Sequence, residues 1–177
     1  MDSLLDQLKL ALDNAINGMS NEQMSWHPLG KWCAAEVLEH LYLTYTGTSK
    51  GFERALDAGK PQASRTSIKQ RMRRLVVVGF NYLPEGRKAP KPTVPRGLSV
   101  EMVRGEFGDK IAAMDEIITR CEVQFGRGVN LVDHPILGPL TAAQWRKFHL
   151  IHGRHHVKQI LRLRQQMPPK ILVVANH

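Results

Sequence analysis

The sequence predicts an all-α protein, a four-helix bundle, and three observations predict it. Four stretches carry apolar residues at helical spacing. Strand signal is confined to the short run Val76-Val77-Val78. Pro28, Pro84, Pro90, Pro92, Pro95, Pro135, Pro139 and the pair Pro168-Pro169 fall between or after those stretches, where a ring that cannot donate an N–H does no damage to a helix.

The first helix is expected over residues 2–19, with Leu4, Leu5, Leu8, Leu12, Ala15, Ile16 and Met19 on one stripe. Gly18 and Ser20-Asn21 break it. Pro28 and Gly30 mark the segment Met24 to Gly30 as a non-helical connector. A second helix runs from about Cys33 to Asp57 with Val37, Leu38, Leu41, Tyr45 and Phe52 facing inward. Residues 58–99 form a long connection, which a compact domain rarely leaves without structure. Its middle, Ser67 to Leu83, suits a further helix through Ile68, Met72, Leu75 and Val76, or a strand at the valine run. The Pro- and Lys-rich stretch Pro84 to Arg96 is expected to be an exposed loop.

Ser99 is placed to cap a third long helix reaching about Glu122, with Val100, Val103, Phe107, Ile111, Met114, Ile118 and Cys121 as its core stripe. Phe125 to Leu140 reads as a loop. Thr141 then caps a fourth helix that ends near Gln166, before Pro168-Pro169. The apolar tail Ile171 to Val174 is expected to pack as an extended segment. A single domain over residues 1–177 is the expected organisation. The connection between the second and third helices is long enough to cross the bundle, which would let those two run parallel.

Composition limits the function. No apolar run approaches the roughly 20 residues needed to span a bilayer. The start, Met1 to Asp6, lacks a basic segment followed by an apolar one, so a cytoplasmic protein is expected. Cys33 and Cys121 form no CxxC pair and read as free thiols. The net charge of +9 is unevenly placed: residues 60–96 hold ten Lys or Arg against the single acid Glu85, and the chain from His134 onward has no acid. This fits a surface that meets an anionic small molecule, or a set of solvated faces. Nucleic acid is disfavoured as a partner.

The histidines point to chemistry. At about 100° per residue, His149, His152 and His156 fall within roughly 60° of one another on the fourth helix, on the face that also carries Trp145, Ile160 and Leu163. That face is the one a bundle buries. Three buried imidazoles are costly unless their nitrogens find partners, and a divalent cation supplies one for the i,i+4 pair His152/His156. Buried histidines bonded to carbonyls are the plainer alternative. His40, beside the apolar stripe of the second helix, would complete a three-nitrogen site with open positions. Gly153 stands where a His-Glu-x-x-His peptidase would need its glutamate, and the lack of carboxylates after His134 excludes a Glu-x-x-His di-iron bundle. Trp32 and Trp145, at the starts of their helices, are expected to pack the bundle end.

Trp32-x3-Glu36-x3-His40-Leu41, taken with His152-x3-His156-x2-Gln159, resembles the DinB-like superfamily, which includes bacillithiol- and mycothiol-dependent transferases and isomerases and proteins labelled metal-dependent hydrolases. The block His134-Pro135-x-x-Gly138-Pro139-Leu140-Thr141-x3-Trp145, followed by His152-x-x-His155-His156-x-x-Gln159, is similar to an uncharacterised branch of it. The resemblance implies an up-down-down-up bundle, often dimeric, with three histidines on zinc, nickel or a similar ion. Those ligands fall on His40, His152 and His156, with His155 as a packing or outer residue. The basic loop Arg87 to Arg96 and the extra His149 depart from the pattern. For His149 the alternatives are an outer-shell base near the ion, a fourth ligand, or core.

Two function classes follow. One is a metal-dependent enzyme acting on a small molecule, as a hydrolase or as a transferase or isomerase using a low-molecular-weight thiol. Arg146, Arg154, Lys158 and Arg162 would add to the basic surface, although Arg154 and Arg162 point away from the histidine stripe. The other is a non-catalytic binding or stress-response protein whose metal is structural. A homodimer is compatible with either.

Overall fold

The computed structural model describes residues 3–84, 86 and 88–167. Four long helices dominate it: α1 (Leu4–Ile16), α3 (Ala34–Asp57), α5 (Val100–Phe125) and α6 (Ala142–Gln166). Short elements join them: α2 (Asn21–Ser25), α4 (Ile68–Arg74), a π-helical turn (Leu75–Gly79), a 3-10 turn (Lys91–Thr93), and the strands β1 (Val132–His134) and β2 (Gly138–Leu140).

Side-chain caps set the helix starts. Ser99 Oγ accepts the Met102 N–H, and Thr141 exchanges hydrogen bonds with Gln144, as their positions predict. Cys33 does the same with Glu36, its backbone N–H donating to the Glu36 carboxylate at 2.8 Å. The connector after the first helix is not wholly irregular. Ser20 and Gln23 form a capping box that starts α2, a Ser-x-x-Gln signal present in the sequence.

Contacts between helices fix their directions. Gln7 meets Arg154, and Ala15 meets Arg164, so α1 and α6 run parallel. Tyr42 meets Glu106, and Phe52 meets Cys121, so α3 and α5 run parallel too. His40 lies against His156 and Phe52 against Trp145, which makes α3 and α6 antiparallel. The bundle is therefore up-down-down-up, with residues 58–99 carrying the chain back between α3 and α5. Most of the stripes assigned to the four long helices are buried, including Leu8, Leu12, Leu38, Leu41, Ile118 and Ile160, while Leu4 and Val100 are half-buried against the core.

Three expectations change. Ile68, Met72 and Leu75 do not face the core; they are exposed, and Val77 and Val78 are buried instead. The π turn widens the helix after Arg74 and so rotates the next side chains off the stripe that a regular helix would continue. The stretch before α6 holds a small hairpin, with Val132 opposite Leu140 and His134 opposite Gly138. His134 Nδ1 closes its turn by accepting the Ile136 and Leu137 N–H groups, and Gly138 takes a positive φ of 74°. The Pro-rich segment is not merely an exposed loop, because the 3-10 turn packs on α3. The apolar tail at residues 171–174 lies outside the described residues.

Candidate metal centre

α3 and α6 bring three histidines together. His40 Nε2 lies 3.3 Å from His152 Nε2, and His156 Nε2 lies 3.1 Å from the same atom. The donor atoms of these three residues all fall within 4.8 Å of one another. His40 and His156 are buried, and His152 is half-buried.

The far side of the rings decides which nitrogens are free. His40 Nδ1 is 2.7 Å from the Thr93 carbonyl oxygen, which only accepts, so Nδ1 carries the hydrogen and Nε2 presents a lone pair. His156 Nδ1 donates in the same way to Gln159 Oε1 at 3.0 Å. Two lone pairs thus converge on His152 Nε2, which can carry one hydrogen and satisfy one of them. A single cation at the centre satisfies all three. Nitrogens held tetrahedrally at the usual zinc distance stand roughly 3.3 Å apart, which matches the spacings of His40 Nε2 and His156 Nε2 from His152 Nε2. The donor set therefore fits one divalent ion.

Electrostatics favour the neutral, ligating form. Burial pushes the His40 pKa down, partly opposed by its bond to Thr93. His152 is held well below the usual value by burial and then by the neighbouring histidines. Burial and then His40 lower His156 to about 3.

Aromatic rings wall the cluster. Phe148 stacks on His152 at 5.4 Å, and Trp32 lies 5.3 Å from His40. Trp32 is thus a neighbour of the site, whereas Trp145 packs in the bundle and donates its indole N–H to the Val132 carbonyl. His155 touches the outer edge of His156. His149 sits one turn earlier on α6, fully buried among Trp145, Tyr45 and Phe148, and neither ring nitrogen has a protein partner. It is not part of the converging group. Arg146 is not available to an anionic substrate, because it pairs with Asp115 and Glu122. Arg154 reaches Gln7 on the outside of the bundle. One contributor gave no sequence signal: Glu39 is 3% exposed and accepts the N–H groups of Arg96, Gly97 and Leu98. Nothing about an acid beside His40 marks it as the anchor of a loop more than 50 residues away.

Up-down-down-up helices with three histidine nitrogens converging between α3 and α6 define a class: a four-helix bundle with a site suited to one metal ion. Within it, residues 5–162 match the family described as "Protein of unknown function (DUF1569)", and the chain belongs to that family. Comparison with curated proteins gives no match. Among solved structures, the fold is similar to that of YfiT from Bacillus subtilis, described as "a probable metal-dependent hydrolase with an unusual four-helix bundle topology". The two share 17% identity with a TM-score of 0.58, over 93% of this chain and 83% of that one. At that identity the likeness establishes the fold.

Proposed function

We propose that this protein is a DinB-like, metal-dependent enzyme of a single domain, in which His40, His152 and His156 hold one divalent ion, zinc or nickel. The observation that carries the reading is the convergence of three Nε2 atoms, two of them held as acceptors by the bonds of His40 to Thr93 and His156 to Gln159. When bound, such an ion supplies Lewis acidity, stabilising a developing anion and favouring the deprotonated form of a water or thiol ligand. The chain's own residues do the rest. Thr93 and Gln159 orient two rings. Trp32 and Phe148 exclude water from the ring faces. His152 is half-buried, and His40 and His156 are buried. The reaction is hydrolysis, or transfer or isomerisation with a low-molecular-weight thiol. Lys88, Lys91 and Arg96, on the segment that contacts His40, favour an anionic substrate or thiol.

Complete burial without a polar partner argues against His149 as a base and for a packing role. A cytoplasmic homodimer without nucleic-acid or membrane partners completes the proposal; no helix among the described residues is long and apolar enough to cross a membrane.

A second reading is a structural ion in a non-catalytic binding or stress-response protein. The burial of His40 and His156, at 4% and 7% exposure, favours it. Elemental analysis of the purified protein and of the His152→Ala/His156→Ala variant tests the site: about one ion per chain is expected in the first and none in the second. Equal content in both removes the site. Screening the loaded protein against ester and amide substrates, and against thiols paired with electrophiles, separates catalysis from a structural role.

A further inference from the structure

Residues 88–98 form a strap across the end of α3 that carries the site. The strap includes Pro90, Pro92 and Pro95, which donate no backbone hydrogen bond. Among the described residues, its polar ties to the bundle are few and concentrated on two neighbouring side chains. The Thr93 carbonyl accepts from His40 Nδ1 at 2.7 Å. Three N–H groups of the strap, those of Arg96, Gly97 and Leu98, donate to the Glu39 carboxylate at 2.8, 3.1 and 3.2 Å. Gly97 and Leu98 share one oxygen, and Gly97 allows this with a positive φ of 85°.

Glu39 is buried, and no cation pairs with it among the described residues; the three N–H groups are its partners. A carboxylate in that setting is held by charge-assisted bonds, roughly twice as strong as neutral ones. It therefore fixes the strap more firmly than any other polar contact made there. The position of the Thr93 carbonyl depends on this, because only two residues separate Thr93 from Arg96.

We propose that Glu39 is a positioning residue for the metal centre: it holds the strap so that the Thr93 carbonyl selects the Nδ1–H tautomer of His40. Metal-ligating histidines commonly give their second N–H directly to a carboxylate or a carbonyl. Here the carboxylate one residue before the ligand acts through the loop, and the loop's carbonyl meets the ring. The inference rests on the proposed ligand set for its functional meaning, but its tautomer readout needs no metal.

The test compares metal-free wild type with Glu39→Gln, which keeps the shape but turns an NH2 group toward the strap's donors. Side-chain 15N spectra at a pH where histidines are neutral report the His40 tautomer. Wild type is expected to show Nδ1–H. Glu39→Gln is expected to show mixed tautomers and a zinc affinity roughly 10–100-fold weaker, the range seen when outer partners of ligands are lost. Glu39→Asp is expected to recover part of both. If Glu39→Gln fails to fold, Gly97→Ala loosens the same contact from the strap side, since no atom lies within 4 Å of an added Cβ and only the backbone angle is strained. A lower melting temperature with an unchanged His40 tautomer overturns the proposal. Absence of zinc binding by wild type would overturn the ligand set and leave the tautomer comparison to judge Glu39 alone.

Discussion

His40 and His152 stand 112 positions apart in the chain, yet their Nε2 atoms lie 3.3 Å from each other. The pair spans the seam between α3 and α6, so the site exists only when both helices are docked. Replacing His40 should therefore affect metal binding more than replacing any outer partner. His40→Ala is expected to weaken zinc binding by more than the roughly 10–100-fold typical of outer-shell changes. Competition against a chromophoric chelator measures this, and an unchanged affinity would remove His40 from the ligand set.

Binding to the folded state alone must stabilise it. Zinc at about 100 times its dissociation constant contributes about 2.7 kcal/mol. For a chain of this length that is a rise of roughly 5–10 °C in melting temperature. Differential scanning calorimetry should show the rise in wild type and none in His152→Ala/His156→Ala.

Stability of the metal-free protein should fall in mild acid. His134 is lowered to about 4 and His149 to about 3, both by burial first, with the charge of His134 adding to the effect at His149. Each titrates near 6.5 when unfolded. Between those values the unfolded chain binds more protons than the folded one, so stability is full above about pH 6.5 and declines as pH falls toward 4. Each such histidine contributes up to about 1.4 kcal/mol per pH unit. Urea denaturation at pH 7, 6 and 5 should show the decline, and His149→Phe should make it shallower.

The same variant addresses His149 itself. Its two ring nitrogens are buried without protein partners, and such a group costs roughly 1–3 kcal/mol where it is left unmet. A phenyl ring of similar shape among Trp145, Tyr45 and Phe148 removes that cost. His149→Phe is expected to keep zinc uptake and to melt at the same temperature or higher. A loss of uptake would make His149 a participant in the site.

Gly153, between His152 and the outer face of α6, has a packing reason to be glycine. A Cβ there would overlap Leu8 Cδ1 and approach Leu8 Cγ at 3.2 Å. Gly153→Ala should push α1 away from α6 at a cost of roughly 1–3 kcal/mol. A thermal melt checks it, and an unchanged melting temperature would mean that α1 repacks freely.

The long helices were legible because apolar spacing, caps and prolines are local properties of the chain. Leu8, Leu12, Leu38, Leu41 and Ile118 show their burial through period alone. The α4 region was not legible in this way: the spacing of Ile68, Met72 and Leu75 is that of a buried stripe, but a π turn hands the core to Val77 and Val78. A register shift of this kind depends on what the segment packs against.

By itself the sequence determined the helical class, the caps at Ser99 and Thr141, and the pairing of His152 with His156, since one turn of helix puts i and i+4 on one face. Only the tertiary structure decided that His40 reaches that pair, that His149 stands apart from it, and that Arg146 is bound by Asp115 and Glu122. It alone placed the Thr93 carbonyl on His40 Nδ1 and the Arg96 N–H on the Glu39 carboxylate. Helix periodicity is fixed by bonds between near neighbours. The meeting of α3, α6 and the strap depends on how whole helices pack, and no local pattern in the chain encodes that distance.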